Sequence, residues 1–281
     1  MKRSTVVFTN PALFAVLFSV IGMAHAQPTF GPSGIGEGEH RARLPQLAPC
    51  TYTQNLDAET IESGGGIACN SGGITTDNSY LRVFDLDGEH GFGGEVCVES
   101  LDYPVELSTG NVDLTFNVYC APQGTSGSDG LIWEELEAGL VFNLTIVQPD
   151  AQLEFFNQPL GGCCDADSQD MVIEYTAEDC LENGTCVNFF PGGNTLGQTK
   201  PWYIAAPDCG IVDPVADSAI GFAPNLVMRV NADCDEVGDG AGDGAGDGAG
   251  DVPALGPLGG LLLLLMVLAA TVCFTRRGSR A

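Results

Sequence analysis

Val112-Asp113-Leu114-Thr115-Phe116-Asn117-Val118 decides the fold of this chain, because apolar and polar side chains change places at every residue. A strand turns successive side chains to opposite faces, so one face of this segment belongs to a core and the other to water. Leu140, Phe142, Leu144 and Ile146 keep the same period, as do Met171, Ile173 and Tyr175, and Leu226, Met228 and Val230. Turn signals separate the runs: Gly64-Gly65-Gly66, Asp87-Gly88, Ser128-Asp129-Gly130, Gly161-Gly162, Asn183-Gly184 and Pro191-Gly192-Gly193. The helical hint at Trp133–Ala138 is too short to alter the class. The expected fold is all-β, a disulfide-braced β-sandwich or jelly roll over residues 50–236.

Composition marks off what lies on either side. Residues 27–49 are rich in Pro and Gly and predict a flexible lead-in. Residues 238–251 read GDGAGDGAGDGAGD, with Asp239, Asp243, Asp247 and Asp251 at a strict four-residue spacing. Such a segment has no side chains to build a core, and its like charges repel, so residues 237–251 predict an extended stalk.

Ten cysteines fall in the body: Cys50, Cys69, Cys97, Cys120, Cys163, Cys164, Cys180, Cys186, Cys209 and Cys234. An even number in an exported chain predicts disulfides. A zinc site built from Cys163, Cys164, Cys180 and Cys186 fits poorly with an oxidising compartment and the lack of a CxxC pair. Neighbouring Cα atoms are about 3.8 Å apart, shorter than the usual disulfide span, so Cys163 and Cys164 should bond separately. Cys180 and Cys186 are their expected partners, which leaves Cys50–Cys69, Cys97–Cys120 and Cys209–Cys234.

All 37 carboxylates lie in residues 27–251 against Arg41, Arg43, Arg82, Lys200 and Arg229, a net charge of −32. That field repels nucleic acid and attracts cations. Asp85-Leu86-Asp87-Gly88-Glu89 and the loop carrying Asp165, Asp167 and Asp170 alternate oxygen ligands as calcium prefers, though neither completes an EF-hand. Calcium, at Asp165, Asp167 and Asp170, is the one candidate cofactor. Phe189, Phe190, Trp202 and Tyr203 are candidates for a sugar-stacking platform. No GxSxG elbow, HExxH helix or P-loop is present, so no catalytic residue stands out and the chain is not expected to be an enzyme. Paired acids of a glycosidase have no distinguishing spacing among so many carboxylates.

The two ends state a destination. Lys2 and Arg3, an apolar run from Val6 to Gly22 and Ala24-His25-Ala26 predict a signal peptide (1–26) cut before Gln27, with the Sec translocon and signal peptidase as partners. Leu255 to Phe274 is twenty uncharged residues, enough to span a membrane at about 1.5 Å per residue. Arg276, Arg277 and Arg280 follow, which places that tail in the cytoplasm and the body outside.

Two resemblances follow from these residues. Val252-Pro253-Ala254-Leu255, the apolar helix and the arginine cluster together resemble the IPTL-CTERM kind of sorting signal, covering residues 252–281. That resemblance implies an exosortase-type transpeptidase of a Gram-negative bacterium as a partner, with cutting near Val252–Gly256. Val and Ala stand where that family more often has Ile and Thr. NSYLRVFDL (78–86), GQTKPWYIAAPDCGIVDP (197–214) and NLVMRVNADC (225–234) resemble the choice-of-anchor domains of exported bacterial proteins. This implies a β-sandwich and no established activity. The expected function is a structural or adhesive protein at the cell surface, with extracellular glycan as candidate ligand. A secreted polysaccharide hydrolase and a periplasmic ligand-binding module on an uncleaved anchor remain open.

Overall fold

The computed structural model describes residues 27–35, 38–41 and 50–234, with the side chains of Arg41 and Cys234 outside that description. The chain divides into two units, Met1–Gly238 and Asp239–Ala281, and every described residue belongs to the first. The signal peptide with Ala24 and Ala26, the stalk, Val252–Leu255 and the span 255–274 lie outside the described residues. Among the described residues no helix is long and apolar enough to cross a membrane.

In chain order the first strands are β1 (Thr29–Pro32), β2 (Glu39–Arg41), β3 (Cys50–Tyr52), β4 (Thr60–Glu62), β5 (Ile67–Ser71) and β6 (Ile74–Thr75). The central ones are β7 (Asn78–Phe84), β8 (Glu95–Gly110), β9 (Val112–Pro122), β10 (Leu140–Gln148), β11 (Ala151–Pro159), β12 (Cys163–Asp165) and β13 (Gln169–Ala177). The last are β14 (Cys186–Pro191), β15 (Gly193–Asn194), β16 (Trp202–Ala206), β17 (Ile211–Ala216), β18 (Asn225–Leu226) and β19 (Arg229–Cys234). Short helices stand at Trp133–Glu137 (α1), Cys180–Asn183 (α2) and Asp217–Ile220 (α3). The fold is all-β, and all its strand pairs are antiparallel.

Two six-stranded sheets dominate. One runs β10-β9-β13-β7-β16-β17; the other runs β11-β8-β19-β3, with β12 and β14 also paired to the sixteen-residue β8. The alternation of β9 delivers Val112, Leu114, Phe116 and Val118 to a core shared by the two sheets. Val96, Val98, Leu101, Tyr103 and Val105 of β8 meet them from the other side. The rings of Tyr103 and Phe116 lie 5.2 Å apart, and the Tyr52 hydroxyl reaches Met171 Sδ across the same space. Aromatic pairs at this distance contribute about 0.5–1.5 kcal/mol beyond the area they bury.

The outer face of the first sheet is not left to water as simple alternation predicts. Residues 123–139, including α1, cover the first sheet and form a second apolar cluster of Leu81, Val83, Tyr119, Leu131, Leu136, Val172 and Tyr203. The lead-in also differs from expectation: β1 pairs with β5 and β2 with β4, and Phe30 packs on the main core. Sheet edges with free N–H and C=O groups give even Pro- and Gly-rich backbone a place to bond.

The bridges are Cys69–Cys209, Cys97–Cys163, Cys120–Cys164 and Cys180–Cys186, and Cys50 is disulfide-bonded as well. Cys163 and Cys164 do bond separately. Their partners, however, are Cys97 and Cys120 rather than Cys180 and Cys186, and the expected Cys50–Cys69, Cys97–Cys120 and Cys209–Cys234 pairs are corrected with them. Strand register decides this. Cys163 stands directly opposite Cys97 in the ladder between β12 and β8, while Cys164 turns to the core side, where Cys120 of β9 faces it.

Candidate functional site

The apolar face of β7 carries an interruption. Tyr80, Arg82 and Phe84 share one side of the strand by alternation, so a guanidinium enters the core between two aromatic rings. Arg82 is fully buried, and burial pushes its guanidinium down to about 10, still charged at neutral pH. Among the described residues no carboxylate bonds it directly. Its Nη1 donates to Gln54 Oε1 at 3.3 Å, and Gln54 Nε2 donates on to Glu89 at 2.9 Å. Its Nη2 donates to Gln198 Oε1 at 3.0 Å, and Gln198 Nε2 donates on to Asp217 at 2.8 Å. Two amides thus relay the charge to two carboxylates nearer the surface, while the carbonyls of Lys200 and Leu226 accept the remaining bonds.

A second buried charge lies on the outer face of the other sheet. Arg229 of β19 donates through Nε and Nη2 to Asp102 Oδ2 at 2.7 and 2.6 Å. Asn231 Nδ2 donates to the same oxygen and Asn157 Nδ2 to the other. A buried pair holds only when its remaining lone pairs are satisfied, and here two asparagines supply that.

Between the two arginines runs the segment 51–59, and it forms a cleft of about 400 Å³. It is lined by the buried Arg229, by Thr51, Thr53 and Asn55, whose hydroxyl and amide groups are bonded within the fold, and by the more exposed Leu56, Asp57 and Glu59. Thr53 Oγ1 donates to the Met228 carbonyl at 2.6 Å, and Asn55 bonds both the Leu226 carbonyl and the Met228 N–H. The lining is therefore held by backbone and is set before any ligand arrives. Its chemistry is that of hydrogen bonding to hydroxyl-rich or cationic groups.

Two other buried carboxylates serve the backbone. Glu106 of β8 accepts from Gly64 N, Gly66 N and the Ser33 hydroxyl. Burial pushes its carboxyl above the usual range, and those three bonds partly oppose the shift. Gly66 could carry no side chain there, since a Cβ would meet the Pro191 carbonyl at 2.2 Å. Asp170 accepts from Ser126 N and anchors the segment that covers the first sheet, its carboxyl also raised chiefly by burial. His90 packs among Tyr52, Phe84 and Phe92, and burial lowers its pKa.

The residues singled out from sequence fall differently. Asp165 and Asp167 are exposed, whereas Asp170 is buried. Asp165 is engaged with Asp167 N and the Ser168 hydroxyl, and Asp170 is turned to Ser126 N in the covering segment. The three do not converge: among the described residues the one cluster of metal-ligating type is Glu95 with Cys97 and Cys163, whose sulfurs are already bonded to each other. Phe189, Phe190, Trp202 and Tyr203 are all buried, so they form core and not a stacking platform. Arg82, Gln54, Gln198 and Arg229 were the residues to find. For Arg82 the signal was a charge at an inward strand position, between Tyr80 and Phe84.

No family model matches the chain, and no curated protein matches it. Among solved structures it is similar to the cysteine protease and lectin-like domains of Cwp84, a surface layer associated protein of Clostridium difficile. The identity is 12%, the TM-score 0.37, and the match covers 65% of this chain and 35% of that one. A likeness of that strength carries no argument about fold or activity.

Proposed function

We propose that this chain is an exported, surface-displayed β-sandwich with a structural or adhesive role, binding extracellular glycan through the cleft beside Arg229. One observation carries the reading. The buried charged side chains Arg82, Asp102, Glu106, Asp170, Glu174 and Arg229 each hold backbone, amide, hydroxyl or ion-pair partners, while the cleft is a polar surface whose walls at Thr53 and Asn55 are fixed by the fold and whose lining carries the carboxylates of Asp57 and Glu59. Such a surface suits recognition by multiple hydrogen bonds. Covalent bridges between layers suit life outside the cytoplasm. In this reading the tail at Val252–Leu255 is the sorting signal, cut by an exosortase-type enzyme after the membrane helix has held the precursor.

The test combines fractionation of the native host with intact-mass measurement. The expected product starts at Gln27, lacks Arg276 and Arg277, and is recovered from the surface fraction. Surface protein that retains those arginines would remove the processing claim. Binding of a neutral oligosaccharide panel to the full-length chain, compared with Thr53→Val, tests the cleft; equal binding by both would remove it as the glycan site.

A further inference from the structure

We infer that the outer edge of β10 is a self-association surface, at which two copies of the chain pair their strands antiparallel about a two-fold axis. Among the described residues, β10 and β17 end one large sheet, and β11 and β3 end the main path of the other. An unpaired edge is a template for another strand, and proteins guard such edges with charge, proline, bulges or brevity. Three of the four are guarded. β17 carries Asp213 and Pro214 with a register shift, β3 has three residues, and β11 carries Glu154 beside Leu153, whose φ is +52°.

β10 has none of these over most of its length. Leu140-Val141-Phe142-Asn143-Leu144-Thr145-Ile146-Val147-Gln148 contains no charge and no proline, in a chain of net charge −27. Its one irregularity is at its very start, between Leu140 and Phe142. Val141 and Val147 are 45% and 58% exposed. Phe142 and Ile146 pack on the core yet remain partly uncovered, because the layer stops there.

The occupant follows from self-complementarity. A two-fold axis through Leu144 sets Phe142 opposite Ile146 on the core side and Val141 opposite Val147 on the other. Asn143 then faces Thr145, and Leu144 faces its own copy. Apolar meets apolar, polar meets polar, and no carboxylate meets its like, which an acidic chain needs before two copies can approach. Such a contact is isologous and closes as a dimer with a continuous twelve-stranded sheet.

The experiment uses the full-length chain in detergent micelles, with mass read by light scattering. The parent should be dimeric. Val141→Glu/Val147→Glu, which sets like charges against each other across the axis, should raise the dissociation constant at least about tenfold. Register is tested separately by Asn143→Cys/Thr145→Cys, which should form a covalent dimer because directly opposed residues lie within disulfide reach. Neither single cysteine variant should do so. A monomeric parent, a dimer indifferent to the glutamates, or cross-linking by either single cysteine as readily as by the pair would overturn the proposal. If the glutamate variant fails to fold, the cysteine series decides alone.

Discussion

Cys163 and Cys164 are consecutive residues of one strand, yet they close bridges in two directions. Cys163 bonds Cys97 within its own sheet, with Cα atoms 4.0 Å apart, and Cys164 bonds Cys120 of the facing sheet, at 5.5 Å. The period of two in a strand sends neighbours to opposite faces. A short strand of three residues thereby ties both layers to the same point.

The bridge between layers should matter more than the local one. Cys120–Cys164 spans 44 residues, and Cys180–Cys186 spans 6. Loop-closure entropy then favours the longer bridge by about 2 kcal/mol. Urea unfolding of Cys120→Ser/Cys164→Ser against Cys180→Ser/Cys186→Ser measures the difference. Equal losses would refute the entropic ranking.

The relays from Arg82 make a coupled prediction. Arg82→Met leaves Gln54, Gln198 and two carbonyls without their donor, and should cost about 3 kcal/mol or more. Gln54→Ala and Gln198→Ala each leave Arg82 one route to a carboxylate. Their double variant should therefore lose more than the sum of the singles, by about 0.5–3 kcal/mol. Strict additivity in a double-mutant cycle would show that the two amides act independently.

Acid should find His90. Its pKa is lowered from 6.5 by burial, and its Nε2 has no hydrogen-bond partner among the described residues. The folded state therefore binds fewer protons than the unfolded state below pH 6.5. The contribution is present above 6.5 and is lost as pH falls through the depressed folded value. His90→Phe, which keeps a ring among Tyr52, Phe84 and Phe92, should flatten melting temperature against pH in that window. Glu106 and Asp170 have raised values and act with the opposite sign: their contribution is present at low pH and lost as pH rises. A parent profile that His90→Phe leaves unchanged would assign the acid response to other groups.

Calcium should act as bulk counter-charge at the loop of Asp165, Asp167 and Asp170. The three carboxylates do not gather the six to eight oxygens at 2.3–2.6 Å that calcium takes. At fixed ionic strength, calcium and magnesium should raise the melting temperature equally, and Asp165→Asn/Asp167→Asn should leave the response intact. A calcium-specific rise abolished by that variant would restore the site.

The all-β class was legible in Val112–Val118 and its sister runs, because period two is a local property that one strand shows alone. The presence of disulfides was legible too, since it depends on the number of cysteines and the compartment. Connectivity was not. It depends on which strands become neighbours, and Cys97 meets Cys163 across 66 residues through the ladder of β8 and β12. Part of the site was half-visible: Arg82 breaks an apolar face in the sequence, but Gln54, Glu89, Gln198 and Asp217 come from four other segments. Likewise, Glu106 reads as one surface carboxylate among many until folding sets it beneath Gly64 and Gly66. Side-chain period and composition are carried by neighbours in the chain, whereas counter-charges, bridges and cleft walls are carried by neighbours in space. Only the packing of the two sheets decides who those are.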